Sequence, residues 1–374
     1  MWSGCEMKQR RNGEIELMRF LFAVGIVVFH FDGRYSDAGF FRCGYIAVEF
    51  FFVLSGYLMS RSARKALDRG EGIDIPGSTW KFIFRKFKTF YRYYLFAILA
   101  QIVIKDILVG HEAFSAVIRS IFRSAPTLTL TFYLLSWPDV SLYIGSTWFL
   151  STMIICMFVL YPMILKNFDL AVKITMPIIF VFAAGYVLHR YNNSMHNVKV
   201  WNDLFYSGVP KSFAEIAFGA CLYFIPEKID KVRNEVFASQ KLADLLFTLL
   251  KWGSVLIVFL YSLGVFRKVY DLECILLSGV FVTISFSNTG YHLRGSRFTD
   301  LLGQLSLPLF IFHKVILNTL MEIKPCKPYP NGKYLVLILL TLITCVVMKL
   351  VTDFVWKWAG RLLSGKVFKK PQES

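Results

Sequence analysis

The sequence lacks several features that would assign its class at once. Its 7 cysteines include no Cys-x-x-Cys pair, so they support no metal site. There is no low-complexity tract, and no block of about 100 residues lacks an apolar segment, which excludes a separate soluble domain. No internal repeat is visible either, which counts against the inverted halves of many transporters.

Acidic residues are also scarce, with 25 Asp and Glu against 42 Lys and Arg and a formal charge of +17. Such a charge invites a nucleic-acid reading, but the basic residues flank apolar segments and form no dense stripe. We therefore predict no nucleic-acid partner. The excess is typical of Lys and Arg retained on the cytoplasmic side of a membrane protein.

Apolar residues, in contrast, are abundant and arranged in long blocks. They make up 56% of the chain, against about 45–50% in soluble domains. Because a helix needs about 20 mostly apolar residues to cross the hydrocarbon core, we predict an all-α polytopic membrane protein with about ten transmembrane helices in one bundle. The segments are 15–31, 44–60, 90–109, 147–165, 174–188, 211–226, 244–265, 272–290, 299–318 and 334–356.

The ends of the chain are predicted to belong to the same membrane domain. This single domain covers 1–374, with a short basic tail at 1–14 and a C-terminal tail at 358–374. The basic run at 8–11 resembles the start of a signal peptide, but Arg19 interrupts the apolar stretch and no small-residue cleavage site follows. We therefore predict a retained first span.

The orientation follows from the densest basic cluster, which runs from Arg61 to Arg92. The positive-inside rule places this cluster in the cytoplasm, and with ten spans both termini lie there too. The predicted location is the cell (inner or plasma) membrane, as a multi-pass protein. Cys43 and Cys326 then fall in outward loops, which leaves a disulfide between them open. Segment 126–137 is short for a span and is predicted to be re-entrant or interfacial.

Two ionisable residues, Arg19 and His30, lie in the first apolar segment. They are eleven residues apart, about three helical turns, so they share one helix face at heights about 16 Å apart. An ionisable residue inside the membrane is a functional-site hypothesis by default. The simpler alternatives are that Arg19 snorkels inward or pairs with Glu16, and that His30 is an interfacial hydrogen-bonding residue.

Two further polar residues are predicted at the depth of His30. Glu49 lies near the outer end of the second span, and His313 lies in the outer third of the ninth. A carboxylate beside a histidine fixes the imidazole tautomer and raises its pKa, as for a general base. Either residue could instead make only structural hydrogen bonds between helices. Ser55 and Gly56 most simply allow two helices to approach closely.

Basic and aromatic residues alternate from Trp80 to Arg92, at the predicted inner surface. One interpretation is an interfacial helix bound to anionic lipid headgroups. The sharper one is a site for an anionic cofactor with phosphates and a purine, in which Arg85, Lys86 and Lys88 pair with phosphate and the aromatic rings offer stacking faces.

Five elements occur in one order along the chain: Arg19 and His30 separated by ten residues, the segment 44–56, the basic segment 85–91, Trp148-Phe-Leu-Ser, and Gly303 and Ser306 followed by Phe310-Ile-Phe-His313. In these elements nearly the whole chain resembles the membrane-bound acyltransferase-3 family, whose members O-acylate bacterial surface polysaccharides and related acceptors. The chain departs from the family pattern with Ala47 for a glycine, Glu49 for the commoner Asp, Arg92 for a proline and Met153 for a Glu.

The resemblance implies an O-acyltransferase with acetyl-CoA as the donor co-substrate, no metal, and a carbohydrate acceptor that is free or lipid-linked. The enzyme is expected to contact membrane lipids, and its oligomeric state is not predicted. The implied roles are donor binding by Arg19, Arg85, Lys86, Lys88 and Trp148, and catalysis by His30 as general base oriented by Glu49, with His313 as a second polar group. Two alternatives stay open: a transporter or flippase of a polar or lipid-linked solute, and an acyltransferase acting on lipid or peptidoglycan.

Overall fold

The computed structural model of the chain describes residues 11–35, 41–69, 74–110, 114–123, 148–192, 194–195, 201–202, 205–266, 268, 270–323 and 331–363. The predicted segment 126–137 and Cys326 lie outside these residues. The re-entrant segment and the disulfide with Cys43 therefore stay predictions.

Helices make up nearly all of the described chain. They are α1 (Gly13–Tyr35), α2 (Ala47–Leu67), α3 (Ile75–Ile102), α4 (Phe114–Arg123), α5 (Trp148–Lys166), α6 (Met176–Arg190), α7 (Gly208–Cys221), α8 (Ile225–Val236), α9 (Gln240–Ser262), α10 (Asp271–Phe286), α11 (Arg297–Ile323) and α12 (Asn331–Leu363). A two-residue antiparallel ladder, Trp201–Asn202 with Phe205–Tyr206, lies between α6 and α7. Wider helical turns at Val103–Val109 and Ala171–Thr175 extend α3 and precede α6.

The prediction of an all-α polytopic membrane protein is confirmed. Within the described residues, 6 helical segments are long and apolar enough to cross a membrane: Gly44–Leu67, Trp148–Lys166, Phe168–Arg190, Gln240–Ser262, Arg297–Glu322 and Lys333–Leu362. The other four predicted spans also fall on helices. Of these, α1 and α3 carry more charged residues, and α7 and α10 are only 14 and 16 residues long.

The third predicted span begins earlier than its hydropathy suggests. Asp74 caps α3 by accepting a hydrogen bond from the backbone N–H of Gly77 at 3.1 Å, and Pro76 occupies the first turn, where its missing N–H costs nothing. The basic segment around Arg85 is therefore helical and continuous with the apolar part of α3. This continuity fixes the basic side chains relative to the bundle.

The helices that carry the predicted site form the interior of the bundle. α1 packs along α11, α2 crosses α7, and α3 contacts both α5 and α11. In contrast, α6, α9 and α12 expose most of their apolar side chains, including Phe182, Leu249 and Leu339. Such all-apolar exposed faces suit contact with lipid.

The crossing of α2 and α7 depends on two glycines. A Cβ on Gly56 would overlap the carbonyl oxygen of Ile216, and a Cβ on Gly219 would overlap that of Val53. Close backbone approach at small residues is a common way to pack membrane helices. The interpretation of Gly56 as a close-approach residue is therefore supported by the geometry.

Replacing Gly219 with alanine is expected to destabilise the protein by about 1–3 kcal/mol, because the added methyl group must push two backbones apart. The measurement is the midpoint of thermal unfolding in detergent. Gly253→Ala in α9 is the matched control, since no atom lies within 4 Å of a Cβ built there. That control should unfold at or slightly above the wild-type temperature, and equal destabilisation of both variants would contradict the close-approach argument.

Candidate functional site

A cavity of about 810 Å³ lies between α1, α2, α3, α5, α10 and α11. Its cationic lining residues are Arg11, Arg19, Arg61, Arg85 and Lys86, against a single acidic residue, Glu16, among the lining residues that the structure describes. Arg11, Arg61 and Arg85 are exposed to solvent. The cationic side chains therefore mark the open end of the cavity, which suits an anionic ligand.

The rest of the cavity wall is mainly apolar. It is formed by Phe51, Leu54, Leu58, Phe90, Phe149, Leu150, Met153, Leu307 and Phe310, with hydroxyls from Ser55, Thr89, Ser285 and Ser306. Met153 accepts a hydrogen bond from the Ser55 hydroxyl at 3.5 Å. The cavity thus joins a charged entrance to an apolar interior.

Arg19 lines the cavity and pairs with Glu16, as one of the alternatives for it predicted. Its Nη1 donates to Oε1 and Oε2 of Glu16 at 3.1 and 3.2 Å. Lys86 lies nearby on α3. Burial, together with the guanidinium charges of Arg19 and Arg85, lowers the pKa of Lys86 to about 8. The cavity therefore keeps this positive charge below about pH 8 and loses it above.

His30 and His313 come together from α1 and α11. Their rings stack with centroids 5.2 Å apart and an interplanar angle of 14°. His313 is fully buried, whereas His30 is half-buried. The structure therefore joins two of the three predicted catalytic residues, and His30 is the more accessible of them.

The tautomer of His313 follows from its backbone contact. Its Nδ1 lies 2.9 Å from the carbonyl oxygen of Leu309. Because a carbonyl only accepts, Nδ1 carries a hydrogen, and in the neutral ring Nε2 then keeps its lone pair. That Nε2 is buried and has no hydrogen-bond partner among the described residues. Full burial favours the neutral imidazole, which then has an unused acceptor at Nε2.

Phe310 links the cavity to the histidine pair. Its ring lines the cavity and lies 6.2 Å, centroid to centroid, from the ring of His313. On its other side Phe310 contacts Phe149 of α5 at 5.5 Å. Phe310 therefore separates the apolar interior of the cavity from His313, and neither histidine is among the described lining residues.

Glu49 has a different partner from the one predicted. Its Oε1 accepts a hydrogen bond from Lys211 at 3.2 Å, and Lys211 also lies 2.9 Å from Glu215. All three side chains are buried, and Oε2 of Glu49 has no hydrogen-bond partner in the described part of the chain. Lys211 therefore takes up the carboxylate that was predicted to orient His30.

Two of the predicted donor-binding residues lie away from the cavity lining. Lys88 is exposed on α3, and Trp148 is buried beside Phe52, with ring centroids 6.0 Å apart. Trp148 also lies against Gly208, where a Cβ would meet its indole. In the structure Trp148 is a packing residue of the α2, α5 and α7 contact.

Sequence reasoning missed Arg11, Arg61 and Lys211. Arg11 and Arg61 sit at span ends, where basic residues have a simpler explanation. Lys211 and Glu215 did offer a signal, since an oppositely charged pair at i and i+4 in an apolar segment indicates a buried ion pair.

The family model of the acyltransferase-3 domain, described as an acyltransferase domain, matches residues 12–351. The matched range includes every residue of the cavity and of the histidine pair except Arg11. No curated protein and no solved structure matches the chain.

Proposed function

The chain belongs to the acyltransferase-3 family, and on that premise we propose that this membrane acyltransferase moves an acetyl group from cytoplasmic acetyl-CoA to a hydroxyl of a cell-surface polysaccharide or its lipid-linked precursor. The observation that carries the proposal is one cavity with a cationic entrance and an apolar interior, whose wall residue Phe310 lies beside His313 of the stacked histidine pair. A long donor with an anionic end and a thin acyl-bearing arm fits such a site.

The donor is oriented by the charge distribution of the cavity. Arg19, Arg85 and Lys86 pair with its phosphates at the open end. The less polar arm then extends along the apolar wall toward Phe310. This arrangement brings the thioester to the histidine pair and leaves the charged groups in contact with water, since burying phosphates in the interior would be costly.

His30 acts as the general base. It takes the proton of the acceptor hydroxyl while that oxygen attacks the thioester carbonyl carbon. The carbon–sulfur bond then breaks, and the proton passes from His30 to the departing sulfur, so the products are the O-acetyl ester and the free thiol. His313 stays neutral because its side chain is fully buried, which disfavours the charged form. A neutral ring stacked on His30 adds no repulsive charge when His30 becomes protonated.

The transporter alternative predicts no chemistry on a thioester, and the family membership favours the enzyme. A lipid or peptidoglycan acceptor would use the same donor cavity, so the acceptor must be identified by product analysis. The structural features that support the proposal are the donor cavity and His30, the proposed general base.

The test combines two measurements. The purified protein in detergent should release free thiol from acetyl-CoA when a polysaccharide acceptor is present, and cells that express it should carry surface-glycan acetyl esters that deletion cells lack. The absence of thiol release would overturn the enzymatic proposal. Thiol release with unchanged glycan esters and newly acetylated lipid or peptidoglycan would overturn the proposed acceptor.

A further inference from the structure

We propose that Glu16 is a positioning residue that holds Arg11 and Arg19 together as one anion-binding pair, and that Gly303 makes room for it. This inference rests on the proposed function, because the anion it serves is the phosphate part of the donor. Among the charged residues that line the cavity in the described part of the chain, Glu16 is acidic and the other five are cationic. A carboxylate in that position would weaken anion binding unless it organises the cations around it.

The contacts place Glu16 between the two guanidinium groups. Nη1 of Arg19 lies 3.1 and 3.2 Å from its two oxygens, and Nη1 of Arg11 lies 3.6 Å from Oε2. The side chain of Glu16 is only 7% exposed, whereas those of Arg19 and Arg11 are 27% and 57% exposed. The anion is therefore the buried member of the group, and the two cations are its more exposed partners.

This arrangement has a physical consequence for ligand binding. Two guanidinium groups repel one another, and a carboxylate between them offsets that repulsion. Each arginine faces Glu16 through Nη1. Because a guanidinium has five N–H donors, most donors of each arginine remain available to a ligand. Long arginine side chains lose considerable rotamer entropy when they bind a ligand. Holding them beforehand reduces that cost.

Gly303 provides the space that Glu16 occupies. A Cβ added at residue 303 would overlap the Glu16 carboxylate, which is pressed against α11 at that point. An alanine at 303 must therefore displace the carboxylate without changing any charge. Gly303 is not among the described lining residues of the cavity. The substitution thus perturbs Glu16 by geometry, while Glu16→Gln perturbs it by charge.

The experiment measures the binding of coenzyme A and of inorganic pyrophosphate to the full-length protein in detergent, by calorimetry. Both Glu16→Gln and Gly303→Ala are expected to weaken binding of each probe about tenfold, the loss of one charge-assisted contact. In turnover assays the KM for acetyl-CoA should rise about tenfold, while kcat at saturating donor stays within about twofold. A higher KM with an unchanged kcat indicates that donor positioning is lost, whereas a general structural defect would also lower kcat.

Glu235→Gln is the matched control. Glu235 is exposed on α8 and pairs only loosely with Lys231, at 3.7 Å, so its loss changes the net charge equally without touching the cavity. It should bind both probes like the wild type. Thermal unfolding of all variants checks that they are folded. If Gly303→Ala is not folded, binding to Glu16→Gln alone decides the role of Glu16.

Each outcome decides between the two proposals. If the wild type binds coenzyme A and Glu16→Gln binds it equally or more tightly, the carboxylate is a competitor or a bystander and the inference is overturned. If the wild type binds pyrophosphate but not coenzyme A, the donor assignment fails, and the pyrophosphate comparison still decides the role of Glu16. Binding of neither probe overturns both.

Discussion

Replacing His30 with alanine is expected to lower the rate of acetyl transfer by roughly 10²–10⁴-fold, the usual contribution of a general base. The stacked neighbour cannot take over the role readily, because His313 is fully buried and an acceptor hydroxyl would have to reach it through the protein interior. Donor binding should be unchanged, since the cationic entrance is about 16 Å away along α1. The measurement is the initial rate of ester formation at saturating acetyl-CoA.

The control for this prediction is His189→Ala, which removes an exposed histidine at the end of α6. That variant should transfer acetyl groups like the wild type. Size-exclusion profiles and thermal unfolding show whether the His30 variant is folded. A folded His30→Ala protein that transfers at nearly the wild-type rate would show that another group accepts the proton.

The helices could be predicted from the sequence because their apolar segments are long and each is bounded by polar residues. All ten predicted segments fall on helices of the structure. Their limits were less predictable. α3 begins at Ile75 because Asp74 caps it and Pro76 fits its first turn. A hydropathy profile does not detect such a cap. It detects only the apolar second half of the helix.

The arrangement of the site residues was predictable only for residues that lie on the same helix. Arg19 and His30 are related by helical spacing alone, and the structure has Arg19 in the cavity and His30 stacked on α11. The pairing of Glu49 was not predictable in this way. Depth in the membrane follows from residue number, but the direction in which a side chain points around its helix depends on which helices are neighbours. α2 crosses α7, and this contact brings Lys211 of α7 to Glu49.

The partnership of Glu49 leads to the second large expected effect. Lys211 is buried with Glu49 at 3.2 Å and Glu215 at 2.9 Å, and Asp271 acts on it electrostatically. Replacing Lys211 with methionine keeps the length of the side chain but leaves these carboxylates without their cation. Removing one partner of a buried ion pair costs about 3–5 kcal/mol. We expect a large drop in the thermal unfolding midpoint in detergent and a lower yield of folded protein.

The cause of that loss can be separated from the loss of packing by a second variant. In Lys211→Met combined with Glu49→Gln and Glu215→Gln, no charged residue of the ion pairs remains, and replacing a whole buried ion-pair group by neutral side chains is often nearly neutral. The triple variant should therefore recover much of the stability that the single variant loses. Lys231→Met, which breaks the exposed pair with Glu235, should change the free energy of unfolding by less than about 0.5 kcal/mol. A Lys211→Met protein that unfolds at the wild-type temperature would show that the carboxylates hold protons instead of charge, and the lysine would then not be what balances them.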